Sequence, residues 1–366
     1  MNKNDIYIIQ GTDYLGMTKE LLNECRLAEL IPSGEARIAI KPNLVSPSEA
    51  SYGATTHPEI VAGIIEYLQE NGFRNLTVME SSWVGARTSD VFTLCGYDRL
   101  CEKYQVPFKD LQKDKAFRTD CSGMELQLCA AVKDVDFLIN VPVLKGHCQT
   151  RITCALKNMK GLIPSSEKRR FHSLGLHKPI AHLNAAVRQD FIVVDNICGD
   201  PDFEDGGHPV IMNRILAALD PVLTDTYACR LLKTAPEDVP YILLAGKLGV
   251  GSADLSKARL VHLRNAREEE LKATGRVFEL RDAVEEVDSC SACYGSLLPA
   301  LDRLQRERNL SIEEIAAAGI CIGQGWKGKT GETGIGNCTR LFRHYLEGCP
   351  PEEDRIYEFL RERLEP

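Results

Sequence analysis

Short apolar runs alternate with longer amphipathic segments from the start of the chain to about residue 265. The short runs are rich in β-branched residues and are bounded by turn-forming residues, a pattern that predicts β-strands. Several of them are apolar throughout, as expected for strands that are covered on both faces of a sheet. The predicted strands span residues 6–9, 36–40, 76–80, 137–141, 191–195 and 260–263.

The amphipathic segments between these strands predict α-helices. One of them has Thr56 as a cap, Pro58 near its first turn and Gly72 beyond its end, which are residue types that begin and end helices. The predicted helices span residues 59–70, 89–104, 180–188 and 221–232. Strands that alternate with helices indicate an α/β fold with a mainly parallel sheet core flanked by helices.

The pattern changes after the charged segment NAREEELKATGR, which begins at Asn265. Five of the fourteen cysteines lie beyond it, together with a glycine-rich stretch that predicts a tight loop. A chain of 366 residues is also longer than one hydrophobic core usually serves. We therefore predict an α/β core domain, residues 1–275, and a smaller cysteine-rich α+β iron-sulfur module, residues 276–366.

The composition is that of a globular protein, with 44% hydrophobic residues, 26% charged residues and a formal net charge of -8. The first residues lack the features of a secretory leader, and no eighteen apolar residues occur in a row. We therefore expect a cytoplasmic protein that does not act at a membrane. The acidic balance argues against a nucleic-acid partner. Because cytoplasmic thiols stay reduced, clustered cysteines suggest a metal site.

The C-terminal cysteines suggest such a site. Cys290 and Cys293 form a C-x-x-C pair at the start of a predicted helix, where two thiolates can converge on one centre. Cys338 follows Gly-Asn, Cys349 precedes two prolines, and Cys321 lies in GICIGQG. All-thiolate ligation suits zinc or an iron-sulfur cluster. We predict a 4Fe-4S cluster on Cys290, Cys293, Cys338 and Cys349; a four-cysteine zinc site and unligated buried thiols are the alternatives.

In order and local sequence, these short motifs resemble the proximal-cluster ligands of nickel-iron hydrogenase small subunits. One geometric requirement follows from the spacing. Cys349 lies eleven positions after Cys338, and one continuous helix would place the two cysteines ~16 Å apart. Any helix between them must therefore be short, or Cys321 replaces one of the two as a ligand.

A second candidate site lies in a basic segment of the core. Residues 144–178 contain eight Lys or Arg residues and a single acid, in a chain that is acidic overall. A solvated surface helix is one explanation for such a charge run. However, Lys157, Asn158 and Lys160 alternate with apolar and turn-forming residues. We interpret these three side chains as facing a cleft.

Other polar residues are expected at the same edge of the sheet. Lys41 and Asn43 follow the second predicted strand, with His57 shortly after, and Lys145 and His147 directly follow the fourth. Open α/β sheets bind ligands at this edge, and ammonium, imidazole and amide groups suit a carboxylate or phosphate. Purely structural roles are the alternative. We predict an anion pocket with Lys41, Asn43, Lys157, Asn158 and Lys160 as binding candidates and His57, His147 and Lys145 as catalytic candidates.

Six segments, in this order along the chain, resemble the family catalogued as domain of unknown function 362. They are KPNL at Lys41, ATTHPE at Ala54, LKGH at Leu144, ALKNMKGLIP at Ala155, VVDNICGD at Val193 and DPVLTD at Asp220. The resemblance covers about residues 35–255. Many members are described as iron-sulfur proteins, often with a ferredoxin-like C-x-x-C-x-x-C-x-x-x-C-P segment. Here the cysteines are instead spread over about sixty residues. The resemblance implies a cluster and pocket candidates, but no reaction or substrate.

These inferences combine into one expected function. The chain would be a cytoplasmic 4Fe-4S protein that transfers electrons, or an oxidoreductase that acts on a small anionic molecule. Its expected partners are that anion, a redox partner protein, or both. The alternatives are a non-redox enzyme and an assembly or binding protein, each with a structural zinc site in the C-terminal module. No dinucleotide, nucleoside triphosphate or serine-hydrolase motif occurs.

Overall fold

A computed structural model of the chain describes residues 1–264, 266 and 276–364. The strands are β1 Asp5–Gln10, β2 Ile38–Pro42, β3 Leu76–Glu80, β4 Phe108–Asp110, β5 Ala116–Asp120, β6 Glu125–Cys129, β7 Phe137–Val141, β8 Lys145–His147, β9 Arg151–Thr153, β10 Phe191–Gly199, β11 Val210–Ala218, β12 Arg259–Leu263, β13 Glu285–Glu286, β14 Ile320–Ile322, β15 Thr333–Ile335 and β16 His344–Leu346. The helices are α1 Tyr14–Glu24, α2 Pro58–Glu70, α3 Thr88–Leu94, α4 Tyr97–Tyr104, α5 Ala155–Asn158, α6 Ser165–Ser173, α7 His177–Ala186, α8 Pro221–Leu231, α9 Pro240–Lys247, α10 Arg276–Asp282, α11 Ser291–Arg308, α12 Ile312–Ala317 and α13 Glu353–Arg361.

Within the described residues, eight strands form the central sheet, in the order β12-β1-β11-β10-β7-β2-β3-β4. Neighbouring strands are parallel except at β11, which is antiparallel to both β1 and β10. Residues of α1 and α2 pack on one face of the sheet, and residues of α7, α8 and α9 pack on the other. The predicted α/β fold with a mainly parallel sheet core is therefore confirmed.

The side chains of the central strands alternate between two hydrophobic cores, one on each face of the sheet. In β10, Ile192 and Val194 belong to one buried cluster, whereas Phe191 and Val193 belong to the other. Successive side chains of a strand point to opposite faces of the sheet, so an apolar strand contributes to both. This is why β10 is buried along its whole length.

All six predicted strands of the core are present, with small differences at their ends. The predicted helix over residues 89–104 is instead two helices, α3 and α4. Gly96 separates them with a φ of 76°, a left-handed backbone conformation that favours glycine and ends a helical turn.

The C-terminal cysteine-rich region is a smaller α+β module, as predicted. Its strands form a parallel sheet in the order β13-β14-β15-β16, and α11 and α13 pack against this sheet in a separate hydrophobic cluster. Cys148 and Phe203 of the α/β core also belong to this cluster, so the two parts share an interface. The boundary predicted at residue 275 lies outside the described residues.

No described helix combines the length and the apolar character that crossing a bilayer requires.

Candidate functional site

A cavity of about 70 Å³ lies between the central sheet and the C-terminal module. Residues at the ends of β2 and β3 line it, and so do the residues where α11 begins. Four of the five predicted anion-binding residues contribute to its wall: Asn43, Lys157, Asn158 and Lys160. Cys290, one of the predicted cluster ligands, lines the same cavity. The structure therefore makes the two predicted sites neighbours.

A buried carboxylate from another helix holds the short helix α5, which carries Lys157 and Asn158. Asp225 in α8 accepts backbone hydrogen bonds from Ala155 at 2.7 Å and from Leu156 at 3.2 Å. These amides belong to the first turn of α5 and have no partner within that helix. Burial raises the pKa of Asp225 to about 7, although these hydrogen bonds oppose the rise. Asp225 thus caps α5 from outside.

Two lysines near the cavity are already paired within the protein. The fifth predicted binding residue, Lys41, lies fully buried behind the wall, with its Nζ 2.7 Å from Glu80 Oε2. Lys157 Nζ lies 2.6 Å from Glu204 Oε1. The sequence did not lead us to Glu204. Its one indication in the sequence is its position in an acidic loop that contains glycines. Because both carboxylates are buried beside their lysines, they neutralise much of the positive charge that the sequence suggested.

Lys160 is the exception. Across the ranges that the structure describes, its ammonium group has neither a hydrogen bond nor an ion pair. Burial, and after it the positive charge of Lys157, lower the pKa of Lys160 to about 7, while Glu204 opposes this change. An anion beside Lys160 would favour its charged form. Lys160 is therefore the lysine best placed to receive an anionic ligand.

His172 also lines the cavity and was not predicted as a site residue. The side chain is buried, and the backbone N–H of Ser291 donates to its Nε2 at 3.4 Å. With Nε2 as the acceptor, the ring proton is on Nδ1, for which the described residues provide no partner. Burial, together with the charge of Lys160, holds the pKa of His172 well below its usual value. His172 is therefore neutral near pH 7.

The catalytic candidates Lys145 and His147 lie behind the cavity. His147 Nδ1 accepts backbone hydrogen bonds from Gln149 at 2.9 Å and Thr150 at 3.1 Å, so its proton is on Nε2. This Nε2 lies 2.7 Å from Glu204 Oε2. Burial lowers the pKa of His147 to about 3 despite the opposing charge of Glu204. Lys145 Nζ donates to the main-chain oxygen of Glu204 at 2.5 Å. Both residues hold Glu204 in place.

The third catalytic candidate, His57, is not in the cavity wall. Its Nδ1 lies 2.8 Å from Asp195 Oδ2, and its Nε2 lies 3.6 Å from the thiol of Cys198. His57 therefore belongs to a different cluster, at the end of β10.

Two of the four predicted ligand cysteines lie at the start of α11, and all four interact electrostatically. Cys290 immediately precedes this helix, and Cys293 lies in its first turn. Burial raises the pKa of Cys290, and the thiols of Cys338 and Cys349 raise it further. Cys293 is affected in the same way by the other three, and Cys338 by Cys349. Every pair among the four is therefore close enough for electrostatic interaction.

The chain between Cys338 and Cys349 turns back on itself instead of forming a helix. Its residues His344–Leu346 are β16, which pairs with β15. The amide of Asn337 donates to Gly348 O at 2.9 Å, and the amide of Gly348 donates to Asn337 Oδ1 at 2.9 Å. Because Asn337 and Gly348 are adjacent to the two cysteines, these bonds remove the ~16 Å separation that a helix would impose.

Cys321, the alternative ligand, has a different environment. It lies in β14, where its thiol is 3.8 Å from Glu285 Oε2 and 3.6 Å from Gly319 O. Burial raises the pKa of Cys321 to about 11, and Glu285 adds to this rise.

Arg169 brings positive charge to the cysteine group. It lowers the pKa of Cys290, Cys293 and Cys338, against the larger effect of burial. Its backbone oxygen accepts a hydrogen bond from Gln324, which ties α6 to the C-terminal module. Sequence reasoning did not single out Arg169, because it lies in a basic run whose simplest explanation is a surface helix.

A single metal ion needs several donor side chains close to one point. Among the described residues, no three His, Cys, Asp or Glu side chains are close enough together to hold a single metal ion. A tetrahedral zinc site has metal–sulfur distances of about 2.3 Å, which places its sulfurs ~3.8 Å apart. In a 4Fe-4S cluster each thiolate binds a different iron, so its sulfurs are more widely spaced. Four thiols supply the soft donors that either kind of site requires.

A family of known proteins matches the α/β core of the chain. The family model described as Domain of unknown function (DUF362) matches residues 38–230, just over half of the chain. A thylakoid-associated protein of Synechocystis sp. is 24% identical over 221 residues, which are 58% of this chain and 68% of that protein. The family match includes all predicted residues of the anion pocket, whereas the four cysteines lie beyond it.

Two solved structures show limited similarity to the chain. The lactate racemase apoprotein from Thermoanaerobacterium thermosaccharolyticum has a TM-score of 0.41 and 15% identity, covering 61% of this chain and 56% of that one. A structural-genomics protein from Thermotoga maritima has a TM-score of 0.35 and 12% identity, covering 65% of this chain and 60% of that one. The chain thus spans less than two thirds of either structure.

Proposed function

The chain belongs to the family described as Domain of unknown function (DUF362), and from this premise we propose that it is a 4Fe-4S protein serving electron transfer or redox chemistry on a small anion. The main observation that supports this proposal is the position of Cys290. This cysteine lines the cavity and also belongs to the group of four neighbouring thiols. A ligand in the cavity would therefore lie next to the cysteine site.

In this proposal Cys290, Cys293, Cys338 and Cys349 hold the cluster. When bound, a 4Fe-4S cluster accepts and donates single electrons at a potential set by nearby charge, hydrogen bonds and solvent exclusion. Arg169 supports ligation because it lowers the pKa of three of the thiols and so favours the thiolate form.

The cavity residues bind the anion. Lys160 supplies a positive charge without an internal partner, and His172 supplies an N–H without an acceptor. Trp83 and Val84 form an apolar part of the wall, which excludes water and strengthens the charge interaction. Glu204 limits the net positive charge and so favours a small ligand of low charge.

The exposed position of Cys349 supports exchange of electrons with a partner protein. An exposed ligand would bring the edge of the cluster to the protein surface, where a redox partner can approach. We also propose a cytoplasmic location for this activity, because thiols remain reduced there.

Metal analysis of protein purified under nitrogen tests the cluster. We expect a brown protein with about four iron and four sulfide per chain and visible absorbance that bleaches on reduction. The Cys338→Ser variant should lose most of the iron, whereas Cys321→Ser should retain it. A colourless protein with one zinc per chain would contradict the proposal. That result would favour a non-redox enzyme or an assembly protein with structural zinc.

Ligand-induced stabilisation tests the cavity. Small carboxylates and phosphates should raise the melting temperature of the native protein, since a ligand that binds the folded state stabilises it. Lys160→Gln should abolish the rise. Lys178→Gln is the matched control, because Lys178 is an exposed lysine of the same basic segment. Equal responses of the two variants, or no response of the native protein, would show that the cavity is not an anion site.

A further inference from the structure

A Cys–His–Asp arrangement lies outside the cavity, where β10 meets the start of α2. Cys198 Sγ is 3.6 Å from His57 Nε2, and His57 Nδ1 is 2.8 Å from Asp195 Oδ2. Asp195 and Cys198 are both in β10, and His57 immediately precedes α2. A thiol, an imidazole and a carboxylate in this order can activate a cysteine as a nucleophile.

The carboxylate of Asp195 is fixed by the main chain. Its Oδ2 accepts the backbone N–H of His57 at 2.7 Å, and its Oδ1 accepts the backbone N–H of Ile197 at 3.0 Å. With Oδ2 also beside His57 Nδ1, the imidazole donates its Nδ1–H to the carboxylate. The other ring nitrogen is thereby directed at Cys198.

We propose that Cys198 is an activated thiol that reacts with hydroperoxides. The imidazole of His57 takes the thiol proton, and the resulting imidazolium is stabilised by Asp195. Cys198 is buried, with 6% of its surface exposed, and the His57 side chain beside it is 12% exposed. None of these three residues lines the cavity. Their reaction is therefore independent of the proposed cluster.

The reaction with a hydroperoxide balances without another reactant. The thiolate of Cys198 attacks one peroxide oxygen, a sulfur–oxygen bond forms and the oxygen–oxygen bond breaks. Sulfur is oxidised by two electrons to a sulfenic acid, and the peroxide is reduced. The leaving oxygen takes the proton of the His57 imidazolium and departs as water or an alcohol.

Other groups also face this site. The ring of Tyr14 in α1 packs edge-on against His57, with ring centres 5.8 Å apart. Burial raises the pKa of Tyr14, and the charges of Cys198, Asp195 and Glu59 add to the rise. Tyr14 is therefore neutral near pH 7, so the charge next to the thiol is that of the His57–Asp195 pair.

Cys95 provides a matched internal control. It has the same exposed fraction as Cys198, 6%, and each thiol has a main-chain oxygen nearby, Ser48 O at 3.2 Å and Ala50 O at 3.4 Å respectively. The other contact of Cys95 is the hydroxyl of Thr55, at 3.8 Å, where Cys198 has an imidazole. Burial raises the pKa of Cys95. A difference in reactivity between the two thiols therefore reports on His57.

Alkylation of the native full chain under nitrogen tests the proposal. Iodoacetamide at pH 7, followed by peptide mass spectrometry, should label Cys198 about tenfold or more faster than Cys95. His57→Gln should reduce the ratio to about one. A ratio near one in the native protein, or an unchanged ratio in the variant, would overturn the proposal.

Two further measurements on the native protein test the proposal even if His57→Gln does not fold. In the native protein the labelling of Cys198 should persist below pH 7, whereas that of Cys95 should increase only at alkaline pH. Treatment with hydrogen peroxide and then dimedone should tag Cys198 and leave Cys95 untagged. Parallel pH profiles, or equal tagging, would show that Cys198 is an ordinary buried thiol. Because iron content is measured separately, failure here is distinguishable from failure of the cluster proposal.

Discussion

Gly161 lies where the cavity wall has no space for a side chain. A Cβ at this position would be 1.7 Å from Glu80 Oε1 and 2.6 Å from Lys41 Nζ. Both groups are buried and bonded to each other, so neither can move without separating the pair. We expect Gly161→Ala to lower the free energy of unfolding by roughly 3 kcal/mol, measured by urea denaturation.

Gly34 is the matched control for this substitution. A Cβ there has no heavy atom within 4 Å. Gly34→Ala should change the free energy of unfolding by less than ~1 kcal/mol. Similar losses for the two variants would mean that the effect at residue 161 does not come from the Lys41–Glu80 pair.

His57 should make stability depend on pH. Burial lowers its pKa, but Asp195 and then Cys198 raise it more, to about 10, from an ordinary value of 6.5. A group whose pKa is higher in the folded state than in the unfolded state stabilises the fold fully at a pH below its unfolded pKa. This contribution is lost as the pH rises through its folded pKa. We therefore expect native protein to exceed His57→Gln in unfolding free energy by on the order of 4 kcal/mol at pH 6.

Urea denaturation of both proteins from pH 6 to pH 10 measures this difference. The advantage of the native protein should shrink steadily over that range as the imidazolium loses its proton. A difference that stays constant with pH would mean that the His57–Asp195 pair does not carry charge in the folded protein.

Glu204 shows what single-residue patterns in the sequence cannot reveal. Lys157 and Lys160 could be proposed as cleft residues from their spacing and apolar neighbours, which are local features, and both line the cavity. Their charge state depends on Glu204, which is 47 residues away from Lys157 along the chain. Only the fold decides that Glu204 pairs with Lys157 and that Lys160 keeps an unpaired ammonium group.

At the scale of elements, the position of α5 depends on Asp225. Asp225→Ala would leave the first-turn amides of Ala155 and Leu156 without their buried acceptor. We expect a loss of about 2 kcal/mol in unfolding free energy and a weaker ligand-induced rise in melting temperature, because α5 carries Lys157. Urea denaturation and the ligand screen measure the two effects.

Glu237→Ala is a suitable control for the change in charge. Glu237 is an exposed carboxylate that precedes α9. Its replacement should leave both the unfolding free energy and the ligand response near native values. A comparable weakening by both variants would attribute the effect to net charge and not to the cap of α5.

The elements that the sequence did not predict are those defined by distant partners. The segment of β11 contains leucine and alanine in a pattern that also suits a helix, and it is a strand because β1 and β10 lie on either side of it. The three residues of β16 are too few to show any period, and their pairing with β15 depends on the turn between them. In contrast, the apolar runs of β7 and β10 have patterns that are recognisable without their neighbours.

At the scale of the whole molecule, the two parts of the chain have separate hydrophobic cores. Leu297 and Leu301 of α11 pack with Ile320 and Ile335 of the small sheet, apart from the two clusters of the central sheet. Gln149 links the parts, because its Nε2 donates to Ser289 O at 3.1 Å and its Oε1 accepts from the Ser291 hydroxyl at 3.0 Å. The cavity therefore lies at the interface between these two parts of the chain.

Loss of the proposed cluster should affect the C-terminal module and leave the central sheet unchanged. Cys290 and Cys293 lie at the start of α11. Cys338 and Cys349 bound a segment in which Phe342 and Leu346 are the buried apolar side chains. Removal of iron would separate these segments, because four neighbouring thiols would lose their common ligand. Strands β7 and β10 should be unaffected, since both are buried along their whole length in the central sheet.

Hydrogen exchange under nitrogen, before and after removal of iron, measures this asymmetry. We expect amides in the first turn of α11 and between Cys338 and Cys349 to exchange about tenfold or more faster in the iron-free protein, with β7 and β10 unchanged. Faster exchange throughout would mean that the module stabilises the whole chain. Unchanged exchange near the cysteines would mean that their arrangement does not depend on a metal cluster, because hydrogen bonds such as the Asn337–Gly348 pair would then be sufficient to hold it.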